Sequence, residues 1–290
     1  MRTEQQMSDL IVQTAIEDER IRAVILNGSR ANPNAPRDCF QDYDVVYLVT
    51  EVTPFVEDAH WIDRFGERMV MQEPDLMDDP AHDIHDSYAW LMQFMDGNRI
   101  DLTLFPIHRL AELEDDSQTI MLLDKDNILP VYPPASDRDY LPKPPSALEF
   151  FNCCNEFWWV APYAAKGLWR KELPYFHEHL DLYLRAQLHK ILDWYVGVRH
   201  DFSVSSGKLG KYYQRVLEPE LWELAARTYA DADTERCWEA LLAMTDLFRL
   251  AARVVADHFG YTYPAGDDAR VSAHLRHVRG LSPDAEEMYP

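Results

Sequence analysis

Six prolines fall between Pro130 and Pro145 (Pro130, Pro133, Pro134, Pro142, Pro144 and Pro145), and neither a helix nor a central strand can run through such a segment. They cut the 290-residue chain into two parts, each near the size at which single domains are commonest. The hydrophobic period differs on the two sides. Upstream, IRAVILN (Ile21 to Asn27) and DYDVVYLVT (Asp42 to Thr50) read as buried strands and RMVMQ (Arg68 to Gln72) as a short one. The runs AWLMQFM and RIDLTLF flank Asp96-Gly97-Asn98 as a hairpin. An amphipathic helix over Glu4 to Glu17 precedes them. Downstream, segments beginning at Ser146, Pro174 and Glu235 carry apolar residues at helical spacing. The expected class is α+β: a domain over residues 1–135 with a mixed β-sheet and flanking helices, a Pro-rich linker over 136–145, and an α-helical bundle over 146–290.

Apolar residues make up 47% of the chain and aromatics 12%, which suits a packed protein rather than a disordered one. No apolar run reaches the roughly 18 residues of a membrane span, and the N-terminus lacks the apolar core of a signal peptide. A cytoplasmic protein with no membrane partner is expected, and a monomer. The net charge of −22 repels polyanions and argues against nucleic acid as a partner, whereas a small polycation would be drawn in. Most of that charge lies in residues 1–140, with 29 Asp and Glu against 11 Lys and Arg. Cys39, Cys153, Cys154 and Cys237 form neither a zinc-ligand spacing nor a disulfide framework, so packed, reduced thiols are expected.

The stretch NGSRANPNAPRDCFQDYDVVYLV, Asn27 to Val49, holds the chemistry. Alternate residues of a strand share a face, so Asp42 and Asp44 project together while Tyr43 points the other way. Two carboxylates held that close repel each other unless a divalent cation sits between them. Asp101, alone among apolar neighbours in RIDLTLF, reaches the same face if its strand lies beside the second one. Gly28 lets backbone N–H groups approach a phosphate, and Ser29 adds a hydroxyl. Together these groups describe a site for a metal-bound triphosphate. A lone Asp-x-Asp carries little weight, and Asp124-Lys125-Asp126 reads as a surface case.

The order Gly28-Ser29, Asp42-x-Asp44, then a third Asp in a later strand resembles the DNA polymerase β-like nucleotidyltransferase superfamily. With FGERMVMQ, DGNRIDL, LLDKDN, CCNEFWWV, KGLWRKE and FSVSSGKLGKY following in sequence, the chain is similar to the aminoglycoside 6-adenylyltransferases, the streptomycin adenylyltransferase family, from Met1 to about Tyr263. That resemblance implies transfer of AMP from ATP to a hydroxyl of streptomycin, with two Mg²⁺ ions. Asp42 and Asp44 would be shared ligands, and Asp101 would complete the nucleophile-side ion. It places a carboxylate base at Glu178, where the best-known members carry aspartate; Asp181, one helical turn on, is the competing candidate. Glu156 and Trp159 are candidates for contacting a cationic substrate. Lys208, Lys211 and Arg30 are candidates for contacting the triphosphate, the two lysines from across a cleft. The lysine segment is not a P-loop, because Leu209 stands where that motif needs Ser or Thr. His177 with His179, and His82 with His85, have metal-like spacing but read as surface histidines. Two alternatives stay open: the same chemistry on another hydroxyl acceptor, and a nucleotide- or drug-binding protein without turnover.

Overall fold

The computed structural model describes residues 1–77 and 86–289, so His82 and His85 lie outside the described residues. The chain divides into two compact units, Met1–Asp139 and Tyr140–Pro290.

The first unit is a six-stranded mixed sheet: β1 (Ile21–Asn27), β2 (Tyr43–Val49), β3 (Arg68–Gln72), β4 (Tyr88–Phe94), β5 (Arg99–Pro106) and β6 (Ile120–Asp124), in the order β3-β4-β5-β2-β1-β6. Among the described residues only the β2–β5 pairing is parallel; the other neighbours run antiparallel. The near-continuous apolar runs of β1 and β2 follow from burial on both faces. Val24, Leu26, Val45 and Tyr47 enter one core, while Ala23, Ile25, Val46 and Leu48 enter another. Helix α1 (Glu4–Glu17), started by a reciprocal Thr3–Gln6 capping box, covers the first face with Met7, Ile11 and Ala15. Buried Tyr47 donates its hydroxyl hydrogen to the Ile11 carbonyl at 2.7 Å, which fixes helix to sheet. The short helix α2 (Thr53–Val56) brings Phe55 edge-on against Trp61 at 4.8 Å. Between β4 and β5 the turn has Gly97 at φ +86°, a conformation that glycine adopts without penalty.

The second unit is helical: α3 (Ala147–Trp169), α4 (Leu173–Glu178), α5 (Arg185–Arg199), α6 (Tyr213–Val216), α7 (Pro219–Ala226), α8 (Thr234–Phe259) and α9 (Ala265–Gly280). A capping box of Ser146 and Glu149 starts α3, and Gly260 in the left-handed conformation ends α8. The apolar run from Pro174 does not wind as one α-helix. His179–Leu184 form a π-helical segment between α4 and α5, where the Arg185 guanidinium turns inward to donate to the Thr228 hydroxyl and carbonyl oxygens. Phe157 of α3 stacks on Phe248 of α8 at a centroid distance of 3.8 Å, both fully buried.

Three of the cysteines are packed as expected, but Cys39 is exposed, because it sits in the irregular segment ahead of β2. Among the described residues no helix is long and apolar enough to cross a membrane. Phe248→Ala removes half of the stacked pair and leaves a cavity, so it should cost ~3–5 kcal/mol. The measurement is the urea midpoint of the helical unit's transition, which should fall with little change in slope.

Candidate active site

The end of β1 and the start of β2 are fastened together by the side chains between them. After Asn27, which is paired with Asp44 across the two strands, the chain turns through a 3₁₀ turn, Gly28–Arg30. Gly28 has φ +72°, and a Cβ there would lie 2.2 Å from Asp44 Oδ2. Glycine is required twice over, for the turn and for the approach of the carboxylate. Gln41 Nε2 donates to the Ser29 carbonyl at 3.1 Å and to its Oγ at 3.3 Å, leaving the hydroxyl hydrogen of Ser29 available to an acceptor.

Arg30 corrects the expectation that it meets phosphate. Its buried guanidinium donates to the Asp42 carbonyl at 2.9 Å and the Gln41 carbonyl at 2.7 Å, and lies 3.8 Å from the centre of the Tyr43 ring. It holds the backbone that presents Asp42. The reason is that Tyr43 points into the core and offers the guanidinium a ring face there.

Parallel pairing sets Asp44 beside Asp101, and Asp42 lies two residues earlier on the same face. One oxygen of each of the three carboxylates lies within 4.8 Å of the others. Asp44 carries the largest burden: burial first, then the charges of Asp42 and Asp101, push its carboxyl up to about 7, against the opposing charge of Arg99. Arg99 chelates Asp101 through Nε and Nη2 at 2.7 and 2.6 Å. Sequence reasoning missed Arg99, although the Arg-x-Asp spacing on one strand face was a usable signal. The all-oxygen donor set suits a hard divalent cation such as Mg²⁺, which would hold all three carboxylates ionised.

The other expected residues belong to the helical unit. Glu178, at the end of α4, is exposed and makes no hydrogen bond or ion pair among the described residues. Asp181 is engaged: its Oδ1 accepts from Arg185 at 2.9 Å, and its Oδ2 lies 3.1 Å from His177 Nδ1. His177 and His179 are half-buried and hydrogen-bonded within the unit, to Asp181 and the Asp231 carbonyl and to the Tyr175 carbonyl respectively. On α3, Glu156 and Trp159 are exposed while Trp158 is in the core. Lys208 and Lys211 are exposed around a turn in which Gly207 and Gly210 have positive φ. Asp124-Lys125-Asp126 is structural: Asp124 accepts from the backbone N–H groups of Ile128 and Leu129, and Asp126 pairs with Arg22.

The sequence profile of the streptomycin adenylyltransferases matches residues 1–278. This chain belongs to that family. It is an enzyme of the nucleotidyltransferase class. It is 38% identical to an aminoglycoside 6-adenylyltransferase of Bacillus subtilis (strain 168) over 92% of this chain and 95% of that one. It is 37% identical to the protein of the same name from Campylobacter jejuni over 92% and 93%. A crystal structure of an aminoglycoside 6-adenyltransferase from Bacillus subtilis aligns over 97% of this chain and all of its own, at 33% identity and a TM-score of 0.48.

Two outcomes follow from the geometry. Gly28→Ala should displace Asp44 and lower nucleotidyl transfer by at least ~10²-fold, with an unchanged circular dichroism spectrum. Asp44, with its folded-state value raised above the ordinary 3.8, stabilises the fold fully below about pH 4, and that contribution is lost as pH rises through about 7. In EDTA the melting temperature of Asp44→Asn should therefore exceed that of the parent chain at about pH 8, by ~2–4 °C per kcal/mol of relieved repulsion. Coincident melting curves would show that the carboxylates do not burden the metal-free fold.

Proposed function

We propose that the protein adenylylates streptomycin, moving AMP from MgATP to a hydroxyl of the drug in the cytoplasm and so protecting its host. The observation that carries this reading is the triad of Asp42, Asp44 and Asp101 beside the Gly28 turn. In the reaction the acceptor oxygen attacks the α-phosphorus, the bond to the bridging oxygen breaks, and pyrophosphate leaves. Such transfer asks mainly for positioning and charge neutralisation. Held by the three carboxylates, two Mg²⁺ ions would lower the pKa of the attacking hydroxyl and balance the phosphate charge.

The chain's own groups do the rest. Gly28 and Ser29 offer N–H and hydroxyl donors to phosphate oxygens at a turn where no side chain intervenes. Lys208 and Lys211, exposed on their turn, are assigned to the triphosphate. Glu178 takes the hydroxyl proton, since its carboxylate is free while both oxygens of Asp181 are engaged by Arg185 and His177. Glu156 and Trp159 contact the cationic acceptor, which the net charge of −22 helps to gather.

Streptomycin incubated with the purified chain, ATP and Mg²⁺ should gain one AMP by mass spectrometry, and EDTA should prevent it. ATP that stays intact would overturn the reading; ATP consumed with another hydroxyl compound but not with streptomycin would redirect it to that acceptor. Glu178→Gln should slow turnover by roughly 10²–10⁴-fold, whereas Asp181→Asn should act mainly on stability through Arg185.

A further inference from the structure

The segment that carries Lys208 and Lys211 is tied at both ends to one carboxylate. Ser206 and Tyr213, which flank it, are buried, and both hydroxyls converge on Asp193 of α5. Ser206 Oγ donates to Asp193 Oδ1. The Tyr213 hydroxyl lies 2.7 Å from the same oxygen and 3.0 Å from the His189 carbonyl, and shares its one hydrogen between them. A carboxylate is the acceptor suited to this task, because hydrogen bonds to an ionised partner are roughly twice as strong as neutral ones. The Tyr212 N–H donates to the Ser206 carbonyl at 2.9 Å and closes the loop at its neck.

What lies between the two anchors is held in an uncommon conformation. Leu209 has φ +58°, which costs a residue that carries a Cβ, and its side chain is 82% exposed, so no packing there offsets the strain. The strain is imposed from the ends. Gly210 packs so closely on the Tyr213 ring that a Cβ would not fit. The apolar core, meanwhile, is filled from α5 by Leu188, Ile191, Leu192 and Val196. Lys208 and Lys211 are exposed, and among the described residues neither makes a hydrogen bond or an ion pair, in a chain with 50 Asp and Glu. The Lys211 ammonium lies 5.2 Å from the centre of the Tyr212 ring. A turn strained by its anchors to hold two uncommitted ammoniums outward is built to present them.

We propose that Asp193 is a positioning residue for nucleotide binding: through Ser206 and Tyr213 it sets the turn from which Lys208 and Lys211 meet the phosphates. The inference rests on the adenylyl-transfer reading above, with its assignment of the two lysines to the triphosphate, and deepens it by naming the group that places them. A lysine stem is flexible, so a polyphosphate that captures an ammonium must also arrest it. With the backbone of the turn already fixed, only side-chain freedom is left to be lost on binding.

The test is calorimetric titration of the full chain with Mg²⁺ and an ATP analogue that has a methylene bridge between the α- and β-phosphorus, and separately with streptomycin. Ser206→Ala and Tyr213→Phe, each of which removes one hydroxyl, should weaken nucleotide binding by roughly three- to tenfold and streptomycin binding by less than about twofold. Asp193→Asn, whose amide oxygen still accepts from both hydroxyls, should retain most of the nucleotide affinity that Asp193→Ala loses. In a chain already carrying Lys208→Ala and Lys211→Ala, Ser206→Ala should cause no further loss, since the anchor acts through the lysines. Unchanged nucleotide affinity in both Ser206→Ala and Tyr213→Phe overturns the positioning role. An equal loss for streptomycin does the same, and so does an undiminished loss in the chain without the two lysines. Full nucleotide affinity in the double lysine variant overturns the lysine assignment and the positioning role together, while a parent chain that binds no nucleotide overturns the adenylyl-transfer reading itself.

Discussion

Mutual repulsion among three carboxylates is the constraint around which the first unit is arranged. Asp42 and Asp101 sit close enough to oppose the ionisation of Asp44, and nothing in the chemistry of the three carboxylates would keep them there. They are held by the sheet. The parallel β2–β5 ladder fixes Asp44 against Asp101, and the buried Arg30 guanidinium ties down the backbone that presents Asp42. Rigidity comes from packing: β2 is buried on both faces, and β5 commits Ile100, Leu102 and Leu104 to one core while Asp101 stays on its half-buried face.

Arg30 and Arg99 show how similar residues take different tasks by position. Arg30 follows the Gly28 turn and folds back over Tyr43, so its charge is consumed within the fold. Arg99 lies on the carboxylate face and offsets part of the triad's charge. A comparable contrast separates Glu178 from Asp181. The inward-turned Arg185 claims Asp181 and leaves Glu178 open to solvent.

Much of this was legible in the sequence, for identifiable reasons. Strand runs such as AVIL and VVYLV announce burial on both faces, and the hairpin at Asp96-Gly97-Asn98 announces itself by its turn residues. Asp42, Asp44 and Asp101 could be gathered in advance because strand periodicity decides which side chains share a face. What sequence did not disclose depended on contacts between distant segments. The inward fate of Arg30 requires knowing where Tyr43 points, and the π-helical winding of His179–Leu184 leaves no mark in an apolar pattern that suits an α-helix equally well. Strand β6 was hidden too, because it is half-buried at the sheet edge and its sequence, IMLLD, lacks alternation.

The topology of the sheet sets an order of events for the nascent chain. After β2 the chain leaves for the far edge, forms β3 and β4, and returns with β5 to lie parallel to β2. Asp44 and Asp101 therefore meet only after a long loop has closed, at an entropic expense that the local hairpin β4–β5 does not share. The hairpin can exist early; the carboxylate cluster cannot. In a polypeptide still emerging from the ribosome the three carboxylates stay apart until the strand beginning at Arg99 has been synthesised and docked, so their assembly reports on completion of the sheet.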